Sequence, residues 1–264
     1  MPDHLTGETR LFPIIGDPIV YVQSPDRLTR GLASVGHNGI CIPMQVAETD
    51  FASVMDGLSR TKNVDGILVT MPHKFTASGA CTTLSSRSEL LGVVSVMRRN
   101  PDATWHGDML DGLAFVKAQK DQGAAFQQAR VLLLGAGGAG RAIALALMAE
   151  GLRELVIFDS NSEKAAELVV LAASAGPGRI LVGPPDPRGF DVVCNATPIG
   201  MTHSDPLPLD LAFLQPTTFV GDVISGHGET PLLRAARSRG CKTASGDQMV
   251  EAVQTMMLDF LLHR

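Results

Sequence analysis

Apolar residues in the first hundred positions fall into short runs separated by helix-spaced segments. Leu11–Gly16 (LFPIIG), Gly39–Val46 (GICIPMQV) and Val64–Met71 (VDGILVTM) read as strands, and the stretches near Pro25–Val35 and Phe51–Ser59 read as helices. A β-α-β-α-β order predicts a parallel α/β sheet, because each helix returns the chain to start the next strand in the same direction. A connecting helix is predicted over Leu113–Gln128.

The next unit is sharper. Val131–Leu134 is a leucine-rich strand, 135–140 a glycine turn (GAGGAG), Ala139–Glu150 an apolar helix, and Leu155–Phe158 a second strand closed by Asp159. Runs RILVG, DVVCNAT and TFVGDVI further on continue the parallel sheet. The last segment, Asp247–Leu262, spaces Met249, Val253, Met256, Met257 and Phe260 as one helical face, which is expected to pack back on the first domain.

Composition narrows the class. A chain of 264 residues, 45% hydrophobic and 19% charged, can bury a sizeable core and form two domains. The formal net charge of −5 comes from scattered mixed charges with no basic run, which argues against a nucleic-acid partner. MPDHLTGETR lacks the apolar centre of a signal peptide, and no stretch offers about eighteen uninterrupted apolar residues, so a cytoplasmic location without membrane attachment is expected. Cys41, Cys81, Cys194 and Cys241 are dispersed, which predicts free, mostly buried thiols and no metal centre.

Two features carry chemistry. The first is the glycine turn, in which Gly135, Gly137 and Gly140 match GxGxxG, with Ala136, Gly138 and Ala139 between them. Glycine there permits a tight turn, lets a pyrophosphate approach the backbone and lets helix pack on strand, while the helix start supplies N–H donors. The strand before it and the acidic residue after the second strand are the context that confirms the motif. Asp159 in that position accepts the ribose hydroxyls of the adenosine half and repels a 2′-phosphate, which favours NAD; Lys164 and Arg153 leave NADP open. The competing reading makes Asp159 a cap for the helix that follows. The second feature is the end of the strand Gly66–Val69, where Thr70, Met71 and Pro72 lead to two basic groups, His73 and Lys74. A lysine there is either a solvated cap or a chemical group.

These motifs, together with GDPIVYVQSP (16–25), VTMPHK (69–74), GDMLDG (107–112), NATPIGM (195–201), GETPLL (228–233) and GDQM (246–249), occur in one order from end to end. In this the chain resembles the shikimate/quinate dehydrogenase family. The resemblance implies an α/β two-domain fold: a substrate domain over 1–112 and 241–264, and a Rossmann-type dinucleotide domain over 113–240. It implies reversible hydride transfer between NAD(P) and a secondary alcohol of shikimate, quinate or a related cyclic hydroxy acid, in a monomer or homodimer. Lys74 falls on the proton-transfer position and Asp111 on that of its orienting partner; Asn195, Ala196, Thr197, Pro198, Val223 and Gly246 fall beside the cofactor. Removing a hydride from an alcohol also requires removing the hydroxyl proton, which a lysine and a carboxylate can share.

The substrate positions depart from the family. Val22 stands where the first of two serines is expected, Leu68 and Ser95 where asparagines are, Leu110 for a threonine, Ser225 for a tyrosine and Val253 for a glutamine. Each missing buried hydrogen bond costs roughly 1–3 kcal/mol, so an altered hydroxy acid or cyclic polyol is expected as substrate. The polar groups left for it are Ser24, Thr70, Ser95, Ser225 and Gln254, with Gln23 and Gln248, and Arg27 if its helix turns it inward. An alternative is a nucleotide-binding sensor that has lost catalysis. Chemistry like that of methylene-tetrahydrofolate dehydrogenases fits NATPIGM and GETPLL less well.

Overall fold

The structure, a computed structural model, describes residues 5–20, 22–202 and 204–263. The first four residues of the polar N-terminal stretch, and Tyr21 of GDPIVYVQSP, lie outside the described residues. The chain divides into two compact units, Met1–Leu110 with Gln254–Arg264, and Asp111–Val253.

The first unit runs β1 (Arg10–Gly16), α1 (Ser24–Ser34), β2 (Gly39–Gln45), α2 (Phe51–Arg60), β3 (Gly66–Val69), α3 (Lys74–Gly79), β4 (Thr83–Leu84), α4 (Ser86–Leu91), β5 (Val96–Arg99) and β6 (Trp105–Asp108). Helix α1 opens with Pro25, which lacks an N–H where the first turn needs none. Helix α4 starts on the Ser85 side chain and stops at Gly92, whose φ of 65° suits a residue without Cβ. Among the described residues the sheet order is β2-β1-β3-β5-β6-β4. Strands β1, β2 and β3 pair in parallel, as the alternation of runs predicts.

Strands β5 and β6 add an antiparallel hairpin that the periodicity does not reveal. Val93–Met97 reads locally as one apolar run without direction; its pairing with β3, Gly66 opposite Arg98, sets that direction. Arg99 follows as a staple. Its guanidinium donates to the carbonyls of Leu58, Ser59, Thr61 and Val64 and lies 4.5 Å over Trp105, and burial lowers its pKa. Beneath α2, Ile15, Val46, Phe51, Met55, Ile67, Val69 and Met97 form a closed core, each large side chain contributing roughly 1.5–3 kcal/mol when fully buried.

The second unit runs α5 (Asp111–Asp121), β7 (Arg130–Leu134), α6 (Gly138–Ala149), β8 (Glu154–Phe158), α7 (Ser162–Ala172), β9 (Arg179–Val182), β10 (Val192–Asn195), β11 (Phe219–Asp222), α8 (Pro231–Ser238), β12 (Thr243–Ala244) and α9 (Gly246–Leu261). Helix α5 begins earlier than the sequence predicts, at Asp111, whose carboxylate suits the positive helix start. It ends earlier too, because Gly123 takes φ 93° and donates its N–H to the Lys120 carbonyl. From Gln254 onward α9 belongs to the first unit. There Leu258 packs on Gly31 at ordinary contact distance and Leu261 on Gly66, where a Cβ would strike it.

The second sheet is parallel throughout, in the order β12-β11-β10-β7-β8-β9. This is the doubly wound, Rossmann-type order, which reverses between β7 and β10. Both faces are covered, and Val131, Leu132, Leu133 and Leu134 are all buried in one continuous run. Ligands of such sheets bind beyond the carboxyl ends of the strands at the reversal, which here carry Gly135 and, in register with Leu134, Asn195.

Candidate active site

In the second unit the site begins with backbone. Gly135 takes φ 101° and donates to the Phe158 carbonyl at 2.7 Å, turning the chain sharply after β7. A Cβ on Gly140 would strike the Gly135 carbonyl, so glycine lets α6 sit against the turn. At Gly137 and Gly138 a Cβ would meet nothing within 4 Å. Their exposed edge and the uncapped first amides of α6 leave room and N–H donors for a pyrophosphate. Asp159 accepts from Ala136 N at 2.7 Å and Asn161 N at 2.8 Å and remains half-buried. The helix cap is Asn161, which receives Glu163 N and Lys164 N, so α7 does not depend on Asp159. These residues fit a dinucleotide.

Beside that turn lies a hydrogen-bonded network. Asn195 Oδ1 accepts from Thr197 N at 3.1 Å and Thr197 Oγ1 at 2.6 Å, and its Nδ2 donates to the Ile199 carbonyl and to Asp222 Oδ1 at 3.0 Å. Asp222 also accepts from Ile224 N at 3.2 Å and Thr230 Oγ1 at 2.8 Å. Burial pushes the Asp222 carboxyl up, and these donors offset part of the shift. Ala196 donates to the Leu134 carbonyl, and Pro198 continues the turn. Val223 donates to the Asn195 carbonyl, and a Cβ on Gly246 would strike the Val223 and Ile224 carbonyls. Ser225 is half-buried in the loop after β11, and Gln248 closes the start of α9 by accepting from Ser245 N.

In the first unit the two basic groups of VTMPHK part company. His73 is fully buried: its Nε2 lies 2.7 Å from the Val46 carbonyl and its ring stacks 4.9 Å from Phe51. Since a carbonyl only accepts, Nε2 carries the proton. Lys74, the first residue of α3, is half-buried, and its carbonyl receives Val94 N. Thr70 donates its N–H to the Ile15 carbonyl and receives His73 N, while Asp17 N reaches the Met71 carbonyl. The lysine therefore stands on a turn tied to the sheet at several points. Asp111 is half-buried at the start of α5 in the second unit.

The substrate positions are mostly closed. Leu68, Leu110 and Val253 are buried, and Val22 is half-buried. Ser95, 1% exposed, uses its hydroxyl to receive Leu110 N at 3.0 Å. Ser24 Oγ receives Gln254 Nε2 at 2.8 Å, and Arg27, half-buried, donates to Gln23 Oε1. Sequence reasoning missed His73 as a core pin and the Asp222–Thr230 link, because the partners of each residue lie outside its own motif.

A cavity of about 920 Å³ in the first unit, lined by His37, Asp65 and Arg99 among others, opens at the N-terminal ends of β1 and β3. It lies away from Lys74, and its charges are engaged, Asp65 by Arg10 and Arg99 by carbonyls. Among the described residues, no three His, Cys, Asp or Glu side chains gather as a metal site, and no helix is long and apolar enough to cross a membrane. Cys41, Cys81, Cys194 and Cys241 are free thiols, all but Cys81 buried.

Two family models match the chain. Residues 14–97 match the shikimate dehydrogenase substrate binding domain, and 117–175 match the shikimate / quinate 5-dehydrogenase family. Shikimate dehydrogenase (NADP(+)) of Rubrobacter xylanophilus is 32% identical over 252 residues, 93% of this chain and 88% of that one. The fold matches shikimate 5-dehydrogenase of Listeria monocytogenes, solved with shikimate and NAD, at TM-score 0.91 and 24% identity, over 100% of this chain and 95% of that one. It matches 5-ketofructose reductase of a Gluconobacter strain at TM-score 0.89 and 24% identity, over 98% and 95%. Motif order, strand order and near full-length similarity converge, and the chain belongs to the shikimate dehydrogenase family of NAD(P)-dependent oxidoreductases that act on CH–OH groups.

Proposed function

We propose that the protein oxidises, reversibly, a secondary alcohol of a cyclic hydroxy acid related to shikimate or quinate, with NAD preferred over NADP. The observation that carries the altered substrate is the closure around Ser95: its hydroxyl is committed to Leu110 N, and Leu68 and Leu110, at two other expected substrate positions, are core residues. A polyhydroxylated ring would leave hydroxyls unpaired against those positions. Ser24 and Gln254, hydrogen-bonded to each other, are the polar pair we assign to the substrate, with Thr70 and Ser225.

Lys74 is the proton-transfer residue in this reading and Asp111 its orienting partner. The pinned turn behind Lys74 supports the assignment, because a proton-transfer group must hold its position through turnover. The glycine turn, Asp159 and the Asn195–Pro198 segment hold the dinucleotide, which when bound supplies the hydride acceptor. NAD preference rests on the Asp159 charge, although curated relatives such as that of Rubrobacter xylanophilus are named for NADP(+). The division of labour we propose places substrate binding in 1–110 and 254–264 and dinucleotide binding in 111–253, in a cytoplasmic monomer or homodimer; the bounds 112 and 241 expected from the sequence shift because α5 starts at Asp111 and β12 pairs into the second sheet.

A ligand that binds only the folded state raises the unfolding midpoint by mass action. Thermal unfolding should rise with NAD, less with NADP, and further when a hydroxy acid of this class joins NAD. A midpoint unmoved by millimolar dinucleotide of either kind would sink the reading.

A further inference from the structure

We infer that Asp222 is a positioning residue for the dinucleotide site: its carboxylate fixes the orientation of the Asn195 amide and thereby holds the Asn195–Ile199 turn against the glycine turn. The inference rests on the proposed cofactor reading and adds to it a residue that touches neither dinucleotide nor substrate.

The argument starts from what each group can do. A side-chain amide fits its cavity in two orientations, and its neighbours choose between them. Asp222 Oδ1, 3.0 Å from Asn195 Nδ2, only accepts, as does the Ile199 carbonyl at 3.2 Å. The NH2 must face them, so Asn195 Oδ1 must face Thr197, where it receives both N and Oγ1. Thr197 Oγ1 in turn receives Ile199 N at 3.2 Å. Reversing the amide would break its bonds with Asp222 Oδ1, the Ile199 carbonyl and the Thr197 N–H at once.

The turn so held is the neighbour of the glycine turn. A Cβ on Gly135 would lie 2.9 Å from the Ala196 carbonyl oxygen and 3.0 Å from Thr197 Cγ2. Movement of 196–197 therefore moves the wall against which Gly135 and α6 are set. From the other side, Thr230 Oγ1 donates to Asp222 Oδ2 and itself receives Leu233 N, which anchors the carboxylate to the first turn of α8. Asp222 is 1% exposed and is met here by neutral donors. A carboxylate buried that way is costly to desolvate, and only its donors offset that cost. Asp222 lies in register with Asn195, which lies in register with Leu134, the residue before the glycine turn, and that place gives it a use.

The test uses the full chain with NAD and NADP as probes. Asp222→Asn removes the charge that strengthens the bond from Asn195 Nδ2 and should weaken dinucleotide binding by about tenfold, the weight of one charge-assisted hydrogen bond, with the hydroxy-acid KM at saturating dinucleotide within about twofold of wild type. Without any ligand, amide exchange at 196–200 should speed up while β7 and β8 stay protected. Thr230→Val reads the same link if Asp222→Asn folds poorly and should weaken binding by about threefold, with Thr230→Ser restoring it. Unchanged dinucleotide affinity in both folded variants, even with a lower unfolding midpoint, overturns the positioning role alone. Wild-type protein that binds neither dinucleotide overturns the cofactor reading, and this role with it.

Discussion

The dinucleotide site proposed in Asp111–Val253 is built largely from backbone, whereas the substrate site proposed in the unit holding Lys74 is built from side chains. In the former, Gly135 and Gly140 are fixed by contacts of backbone on backbone, and the donors are the first amides of α6. In the latter, Leu68, Ser95 and Leu110 have turned into the core, leaving Ser24, Thr70 and Gln254 as polar groups. A site made of backbone changes only if the fold changes. A site made of side chains changes one substitution at a time, which is how a reaction type persists while its substrate is replaced.

The sharpest way to break that contrast is to remove the one side chain of the first unit to which we assign proton transfer. Lys74→Ala should lower turnover by about 10²- to 10⁴-fold, with dinucleotide affinity kept, as initial rates and calorimetric titration would show. Unchanged rates would favour a nucleotide-binding sensor. Next in size is the backbone half: Gly140→Ala forces a Cβ onto the Gly135 carbonyl and should cost roughly 1–3 kcal/mol of stability together with dinucleotide binding, read by urea unfolding and titration. A variant that binds NAD normally would show that the turn tolerates what the geometry forbids.

Much of this contrast was legible in the sequence, for a physical reason. The glycine turn is local: strand, turn and helix lie within twenty residues, Gly135 turns the chain with φ 101°, and Gly140 packs on the Gly135 carbonyl inside that span. The antiparallel β5–β6 hairpin was not legible, because Val93–Met97 acquires its direction only from pairing with β3. Nor could His73 be told from Lys74. Both are basic in the sequence, and only the Val46 carbonyl and the Phe51 ring, each more than twenty residues away, make one a core pin. Asp222 was visible only as a place marker, since its partners Asn195 and Thr230 lie 27 and 8 residues away.

Smaller effects refine the picture. Asp159→Asn keeps an acceptor for Ala136 N and removes the charge that opposes a 2′-phosphate. The ratio of NADP to NAD affinity should rise by about tenfold; a ratio that does not move would take the cofactor choice away from Asp159. Smallest is the response of the thiols. Burial pushes Cys41 and Cys194 up to about 12, with Gln119 offsetting part of the shift at Cys194. The thiolate, which is the reactive form, therefore appears only as pH approaches that value. Iodoacetamide at pH 8 should leave both unlabelled in the native protein and label both in urea, as mass spectrometry would count; native labelling would mean that these cores open.

The central claim is that dinucleotide chemistry is kept while the hydroxy acid has changed. Its most direct test is kcat/KM of the unmodified protein for shikimate, quinate and a series of related cyclic hydroxy acids bearing fewer ring hydroxyls, each with NAD and with NADP. The account predicts reduction of NAD in preference to NADP and a higher kcat/KM for a less hydroxylated acid than for shikimate. Shikimate as the best substrate of the series, or no turnover of any member by protein that binds NAD, would contradict it.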